Sequence, residues 1–451
     1  MSEQDMKALE DVPLLFAELA ATSALAAFDT RLLVPREPEQ IDLVAATKEA
    51  MKRPVGSPKL EQLAVGKRSA VIVTSDATRS VPNKALLPLV VASLRTGGIA
   101  EDQITVIIAL GAHRSLDERE KADLLGEWAS RLNVVNHDPH GECVSVGTTS
   151  AGHELRLSRS FCDAELRVAL GLVEPHEFAG FTGGGKSILP GIAAYDSIVR
   201  NHSLEMLRQP GARPGALAGN QIREEMDEAA RLSGLHFILN VVLDSRQVPL
   251  AVAAGDPVEA HRVLVDFVDG YARVQPPRDI ELSDEAPDLI VTGPGQPLDI
   301  NLYQSVKPLV ALESWVGEAT RVVLLSRCWD GNGSRQMIEP FRSGGGPRQV
   351  MERLAKAYTI EKDHSYFISR FLSHCPNVVA CCPGVEAEDL EAVGFTASAR
   401  VDEAVSIASA SAMHSSRRTR PLAIFIPSPQ RFLLAQWREA SGNGIRLPNT
   451  N

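Results

Sequence analysis

This sequence of 451 residues predicts an α/β fold of two domains, each built on a parallel sheet, with an interdomain cleft as the default binding site. Three observations carry that reading. Short apolar runs rich in β-branched residues alternate with helix-patterned stretches, as strands joined by right-handed helical crossovers do. The alternation pauses at the turn-rich stretch Val274-Gln-Pro-Pro-Arg-Asp279 and then resumes, which separates residues 1–273 from residues 274–451. Four apolar runs of the first domain end in loops bearing ionisable side chains, and ligands of parallel sheets bind at the carboxyl ends of the strands.

Taken in order, the chain opens with two expected helices, near 5–27 and 40–53, separated by Pro35 and Pro38. Ala70–Thr74 reads as a strand, followed by Asp76-Ala-Thr-Arg-Ser-Val-Pro82 and a helix over 83–94 capped by Asn83. Ile104–Leu110 is a second buried strand, ended by Gly111-Ala-His-Arg114, and Asp117 caps the helix after it. Asn133-Val-Val135 is a third strand, ended by Asn136-His-Asp138, and residues 143–157 read as a hairpin. The run 166–173 is a fourth buried strand, leading to Glu174 and His176. A helix over 222–232, paired strands at 237–243 and 248–253, and a helix begun at Asp256 complete the first domain. In the second domain, strands are expected at 289–292, 321–325, 378–382 and 422–426, with one helix over 300–313. The polar tail from Ala440 is expected to fray.

The composition narrows the function. Hydrophobic residues at 44% and charged residues at 23% are those of a globular protein, and the net charge of -11 disfavours nucleic acid and anionic membranes as partners. No run is long enough to span a bilayer, and the acidic N-terminus has no signal-peptide pattern. Six scattered cysteines lack zinc-finger spacing and fit a reducing cytoplasm.

The stretch Glu174-Pro-His-Glu-Phe-Ala-Gly-Phe-Thr-Gly-Gly-Gly-Lys-Ser-Ile-Leu-Pro-Gly191 is the densest in chemistry. Glycines permit close approach of the backbone, while Glu, His and Lys supply reactive groups. Gly180–Ser187 also fits the phosphate-cradling pattern G-x-x-x-x-G-K-[ST]. That pattern needs a strand running straight into the loop and a helix starting at the lysine. Six residues intervene here, and Pro190-Gly191 falls where the helix would settle, so continued loop is expected. Any single histidine after a strand is ordinarily a hydrogen-bonded loop residue. Agreement among four loops, carrying Asp76 and Arg79, His113 and Arg114, His137 and Asp138, and Glu174 and His176, argues for a shared site.

Together these motifs resemble the nickel-dependent lactate racemase family over most of the chain. Asp76-Ala-Thr-Arg-Ser-Val-Pro82 is similar to its Asp-x-Thr-Arg-x-x-Pro, and Gly111-Ala-His-Arg114 to its Gly-x-His-Arg. Asn136-His-Asp138, Glu174-Pro-His176 with Phe178-Ala-Gly-Phe181, Lys186-Ser187 with Leu189-Pro-Gly-Ile192, Asn201-His-Ser203 and Tyr303-Gln-Ser-Val-Lys307 follow in the family's order. The resemblance implies two Rossmann-like domains and a nickel-pincer nucleotide, joined as a thioamide to Lys186, with His202 as the protein's nickel ligand. It further implies racemization or epimerization at C2 of a 2-hydroxy acid by reversible hydride transfer, with His113 and His176 as bases on either side. Asp76, Gly183 and Gly184 fall at cofactor-binding positions by the same resemblance. Arg79, Gln304, Lys307 and Tyr303 fall at substrate-binding positions; Asp76 is expected to orient Arg79, and Gln304 to share a helix with Lys307. The partners implied are a small 2-hydroxy acid and cofactor-synthesis proteins.

Departures from the family pattern lie at Ala77, Ser80, Glu177 and Gly185. An arginine usual before the lysine is absent at Gly185, and Glu177 adds a carboxylate beside His176. These changes surround the expected catalytic positions and leave open a substrate larger or more polar than lactate, such as a sugar acid. Two other readings stay open on sequence: a relative without nickel, acting as a nicotinamide oxidoreductase or a binding protein, and a P-loop phosphotransferase.

Overall fold

The structure, a computed structural model, describes residue 19 and residues 23–277 and 286–437. Two compact units emerge: Glu37–Tyr271, and Met1–Arg36 together with Ala272–Asn451. The second boundary falls near the expected one at 273/274. The N-terminal segment, expected in the first domain, instead belongs with the second unit.

Strand β1 (Asp29–Leu32) explains that difference, because it pairs in parallel with a strand almost four hundred residues later, from Asp29↔Leu422 to Leu32↔Phe425. The strands that follow are β2 (Ala70–Ser75), β3 (Ile104–Ala109), β4 (Asn133–Asn136), β5 (Cys143–Thr148), β6 (Glu154–Ser158) and β7 (Leu166–Leu172). Next come the two-residue strands β8 (Pro175–His176) and β9 (Gly180–Phe181), then β10 (Phe237–Leu243) and β11 (Pro249–Gly255). The other unit holds β12 (Arg273–Val274), β13 (Leu289–Gly293), β14 (Arg321–Leu325), β15 (Val378–Cys381), β16 (Thr396–Ala397), β17 (Leu422–Pro427) and β18 (Leu433–Leu434).

In the unit 37–271 the sheet order is β11-β10-β7-β2-β3-β4. Five of these strands are parallel, and β11 closes one edge antiparallel to β10. Successive residues Ala70, Val71, Ile72 and Val73 are all buried, so both faces of β2 are covered, as an unbroken apolar run demands. The parallel register puts the carboxyl ends of β7, β2, β3 and β4 on one rim. The residues after those ends are the four ionisable loops read from the sequence. The hairpin β5/β6 and the pair β10/β11 also form as expected.

Local signals account for most helices. Asp117 caps Glu118–Leu125 by accepting from the Glu120 backbone N–H at 2.8 Å, and Glu120 returns a bond to the Asp117 N–H at 2.9 Å. Asn83 behaves otherwise than expected. It is the first residue of the helix Asn83–Thr96, and its Oδ1 accepts from Thr74 Oγ1 at 2.7 Å, tying the helix to β2. The helix expected near 40–53 is Leu43–Lys52. Most of the helix expected near 5–27, and the polar tail, lie outside the described residues.

The second sheet has six strands, β1-β17-β13-β14-β15-β16, where four were expected. The two additions are its edge strands, β1 and the two-residue β16. The expected helix 300–313 is broken into Leu302–Ser305 and Lys307–Leu312. Pro308 marks the break, since it has no N–H for the Gln304 carbonyl and stands in the first turn of the second helix, where proline is tolerated. Among the described residues, no helix is long and apolar enough to cross a membrane.

Candidate functional site

On the rim of the unit 37–271, β2 delivers Asp76 into a tight turn. Its Oδ1 accepts from Thr78 N–H at 3.0 Å and Thr78 Oγ1 at 2.6 Å, which fixes the carboxylate while its Oδ2 lies 2.7 Å from His113 Nδ1. Burial pushes the Asp76 carboxyl up. The His113 imidazole outweighs that effect together with the Thr78 bond, and the pKa stands at about 2. An ionised Asp76 accepts a hydrogen bond from the Nδ1–H of His113, which leaves Nε2 as the unprotonated nitrogen of a side chain 46% exposed. Gly111, at φ 56°, makes the turn that carries His113, and its N–H donates to Gly191 O at 3.0 Å. The loop after β3 is thereby joined to the lysine loop.

Asp76 and Arg79 do not form the expected pair. Arg79 Nε lies 3.8 Å from Glu174 Oε1, linking the loops after β2 and β7. Two other rim groups are structural. Arg114 turns to Glu120 with bonds of 2.9 and 2.6 Å, and buried His137 donates from Nε2 to Ala193 O at 2.8 Å.

His176 and His202 sit in one aromatic cluster. The Phe178 ring meets His176 edge-on at 4.6 Å and His202 at 4.9 Å, and all three residues are buried. His176 Nδ1 accepts from the Ala179 N–H at 3.3 Å, which assigns its proton to Nε2, 3.5 Å from the buried Glu177 carboxylate. The hydrogen-bond partners thus give His113 and His176 opposite tautomers. His202 follows the helix Tyr195–Asn201 as its C-cap residue.

Lys186, half-buried, lies in the 3-10 turn Gly184–Ser187, and no α-helix begins there. The P-loop reading fails on that point. The glycines before the lysine are required by what lies behind them. A Cβ at Gly183 would come within 2.8 Å of Asn240 Oδ1, and one at Gly184 within 2.7 Å of Arg223 Nη2. A Cβ at Gly185 would overlap the Met226 backbone carbonyl. Sequence reading missed this brace. Arg223 Nη1 donates to the carbonyls of Gly183 (3.1 Å) and Phe181 (3.3 Å), while its Nη2 reaches Asp227 at 2.6 Å and His261 Nδ1 at 3.2 Å. His261 Nε2 in turn donates to Thr182 O at 2.8 Å, and Asn240 Oδ1 accepts from the Gly184 N–H at 2.9 Å. A charged residue set among Ile222, Met226, Ala229 and Ala230 at helical spacing was the available signal.

His261 gives the brace a pH dependence. Burial and the Arg223 guanidinium push its pKa well below 6.5. The unfolded chain therefore takes up a proton near pH 6.5 that the folded chain refuses, so acidification below that point costs stability. Thermal midpoints are expected to fall between pH 6.5 and 5, and to fall less steeply in His261→Asn. Equal slopes in the two proteins count against a neutral His261.

In the other unit, Tyr303 and Gln304 lie on Leu302–Ser305, and Lys307 begins the next helix, so Gln304 and Lys307 do not share a helix as expected. Gln304 and Lys307 are buried. Tyr303 Oη donates to Asp363 Oδ1 at 2.8 Å, and its ring packs 4.0 Å from that of His364. Asp363 Oδ1 also lies 2.7 Å from His364 Nδ1. The sequence reading assigned nothing to that pair.

Comparison with known proteins agrees with this arrangement of motifs. Residues 25–215 match the family model described as lactate racemase N-terminal domain, and residues 283–420 match lactate racemase C-terminal domain. The lactate racemase of Thermoanaerobacterium thermosaccharolyticum is 37% identical over 311 residues, 68% of this chain and 71% of that protein. The lactate racemase of Lactiplantibacillus plantarum is 35% identical over 309 residues, with the same coverage. Among solved structures, the lactate racemase apoprotein of T. thermosaccharolyticum superposes with a TM-score of 0.80 at 30% identity, covering 89% of this chain and 94% of that one. A protein from Thermotoga maritima matches at TM-score 0.66 and 17% identity, over 89% of this chain and 99% of that one, a likeness of fold alone.

Proposed function

The chain belongs to the lactate racemase family, and from that premise we propose that it racemizes or epimerizes a 2-hydroxy acid at C2 with a nickel-pincer nucleotide attached to Lys186. The observation that supports the proposal is a pair of imidazoles with opposite tautomers: His113 has Nε2 as an acceptor, and His176 carries its proton on Nε2. Inversion through a planar 2-keto acid needs one group to take the hydroxyl proton and another to return one to the opposite face. His113 takes the first role in one direction and His176 in the other. Asp76, ionised down to about pH 2, holds the His113 ring in place and offsets its charge when it is doubly protonated. Glu177 lies 3.5 Å from Nε2 of His176 itself, so its carboxylate stands beside the nitrogen that carries the proton and not behind the ring.

The residues present fit the cofactor. No group of three or more His, Cys, Asp or Glu among the described residues could hold a metal. A single imidazole suits nickel whose other ligands arrive with an organic group, and His202 supplies one, against the same Phe178 ring that His176 meets. When bound, the group supplies reversible acceptance of hydride from the hydroxyl-bearing carbon. Lys186 would hold it covalently and His202 by coordination, with Gly183 and Gly184 shaping the turn at the anchor. Arg79, whose distance to Glu174 is long for a salt bridge, offers a planar fork to the substrate carboxylate. Substrate-binding roles for Gln304, Lys307 and Tyr303 complete the assignment. The departure at Glu177 leaves open a substrate with hydroxyl groups beyond C2, such as a sugar acid, as well as lactate.

Intact mass and nickel content test the reading, on protein coexpressed with the cofactor-synthesis proteins beside Lys186→Ala. The expected result is an added mass with near-stoichiometric nickel in the parent protein, with the added mass and racemization lost in Lys186→Ala. A parent protein without adduct or nickel under those conditions overturns it.

A further inference from the structure

We propose that the helix Gln221–Leu232 is the common positioning element of the site, with Arg223 setting the Lys186 turn and Glu225 setting His202. The inference deepens the functional reading above and rests on it. Five positions of one stretch of chain touch the segments that carry candidate site residues. Asn220, the N-cap, donates from Nδ2 to Phe178 O at 2.8 Å, and Phe178 is the ring between His176 and His202. Ile222 O accepts from Asn201 Nδ2 at 3.2 Å, and Asn201 directly precedes His202. Arg223 gathers the carbonyls of Phe181 and Gly183 ahead of Lys186. Glu225 Oε2 accepts from Asn201 Nδ2 at 2.8 Å. The Met226 carbonyl packs against Gly185.

Glu225 stands out within this set. Its carboxylate is 4% exposed and accepts from three side chains: Asn201 on Oε2, and Thr149 Oγ1 and His153 Nδ1 on Oε1, each at 2.8 Å. A buried carboxylate requires such compensation, and here the donors arrive from two different segments. The bond to Asn201 fixes the end of the helix Tyr195–Asn201, and so the direction in which His202 leaves it. Arg223 is 1% exposed and fixes the other anchor point from two residues away. One rigid helix therefore sets the separation of amine and imidazole, which a ligand held at both points must match. Neither residue is assigned contact with substrate or cofactor.

The two roles separate experimentally. Glu225→Ala, Glu225→Gln and Arg223→Ala are coexpressed with the cofactor-synthesis proteins, and each is assayed for adduct mass, nickel release to a chelator and thermal midpoint. Glu225→Ala is expected to carry the adduct but to lose nickel about 10–100-fold faster. Glu225→Gln keeps an oxygen for Asn201 Nδ2 but turns its NH2 toward Thr149 and His153, and is expected to recover retention in part. Arg223→Ala is expected to lower the fraction of protein carrying the adduct. If Glu225→Ala does not fold, Thr149→Val, which removes one bond from Oε1, reads a smaller loss of the same sign. Parent-like nickel retention in a folded Glu225→Ala, or in a folded Thr149→Val where the alanine variant is lost, overturns the inference and leaves the functional reading standing. A parent protein that takes up no adduct sinks both.

Discussion

His113→Asn is expected to lower racemization in both directions by about 10²–10⁴-fold, the range for removal of a positioned general base. Asparagine keeps a donor for Asp76 Oδ2 but has no nitrogen that can take a proton, so the turn is preserved and the chemistry is lost. His176→Asn is expected to do the same. Both losses appear in kcat, because neither imidazole is assigned to hold the substrate carboxylate. Adduct mass and nickel content remain those of the parent protein in His113→Asn, which separates a missing base from a missing cofactor. The double variant is expected to be little slower than either single one, since each direction of reaction already needs both groups. Progress curves from each pure enantiomer make the measurement. A His113→Asn protein racemizing at the parent rate would remove the acid–base assignment.

Asp76 shows how far the sequence could be read at this site. Its place after β2 was legible, because an unbroken apolar run followed by Asp-Ala-Thr-Arg announces a buried strand and a rim loop. Its partner was not. Arg79, three residues on, was the local candidate, yet the carboxylate bonds His113 from the next strand. Pairing across strands depends on register, and register is a property of the sheet. Strand β1 illustrates the same limit more strongly, since nothing near Asp29–Leu32 indicates that its partner is β17. Arg223 and Glu225 were hidden for a different reason. On a helix with apolar neighbours at the right spacing, a charged residue is only a faint signal of burial, and the loop packed against it is what shows it to be core. By contrast, the break before Pro308 was within reach, since proline states its own constraint.

Gly185→Arg is expected to destabilise the protein and not to improve the site, although arginine is the residue that the family pattern leads one to expect there. The Cβ itself overlaps the Met226 carbonyl, so the cost begins with the first added atom and Gly185→Ala already incurs most of it. That obstacle is helix backbone, which cannot rotate away as a side chain could. Relief requires the helix Gln221–Leu232 or the Lys186 turn to shift. Overpacking of this kind costs about 1–3 kcal/mol, and a unit of this size then melts roughly 2–10 °C lower. A guanidinium is already present behind the turn: Arg223 is buried, paired with Asp227, and bonded to the carbonyls of Phe181 and Gly183. The small residue at 185 and the buried arginine at 223 belong to one packing solution, in which the helix lies directly on the turn. Melting curves of Gly185→Ala and Gly185→Arg, with adduct mass measured in parallel, decide the matter. A Gly185→Arg protein of parent stability that gains cofactor would show that the turn has room, and that the departure at 185 concerns charge.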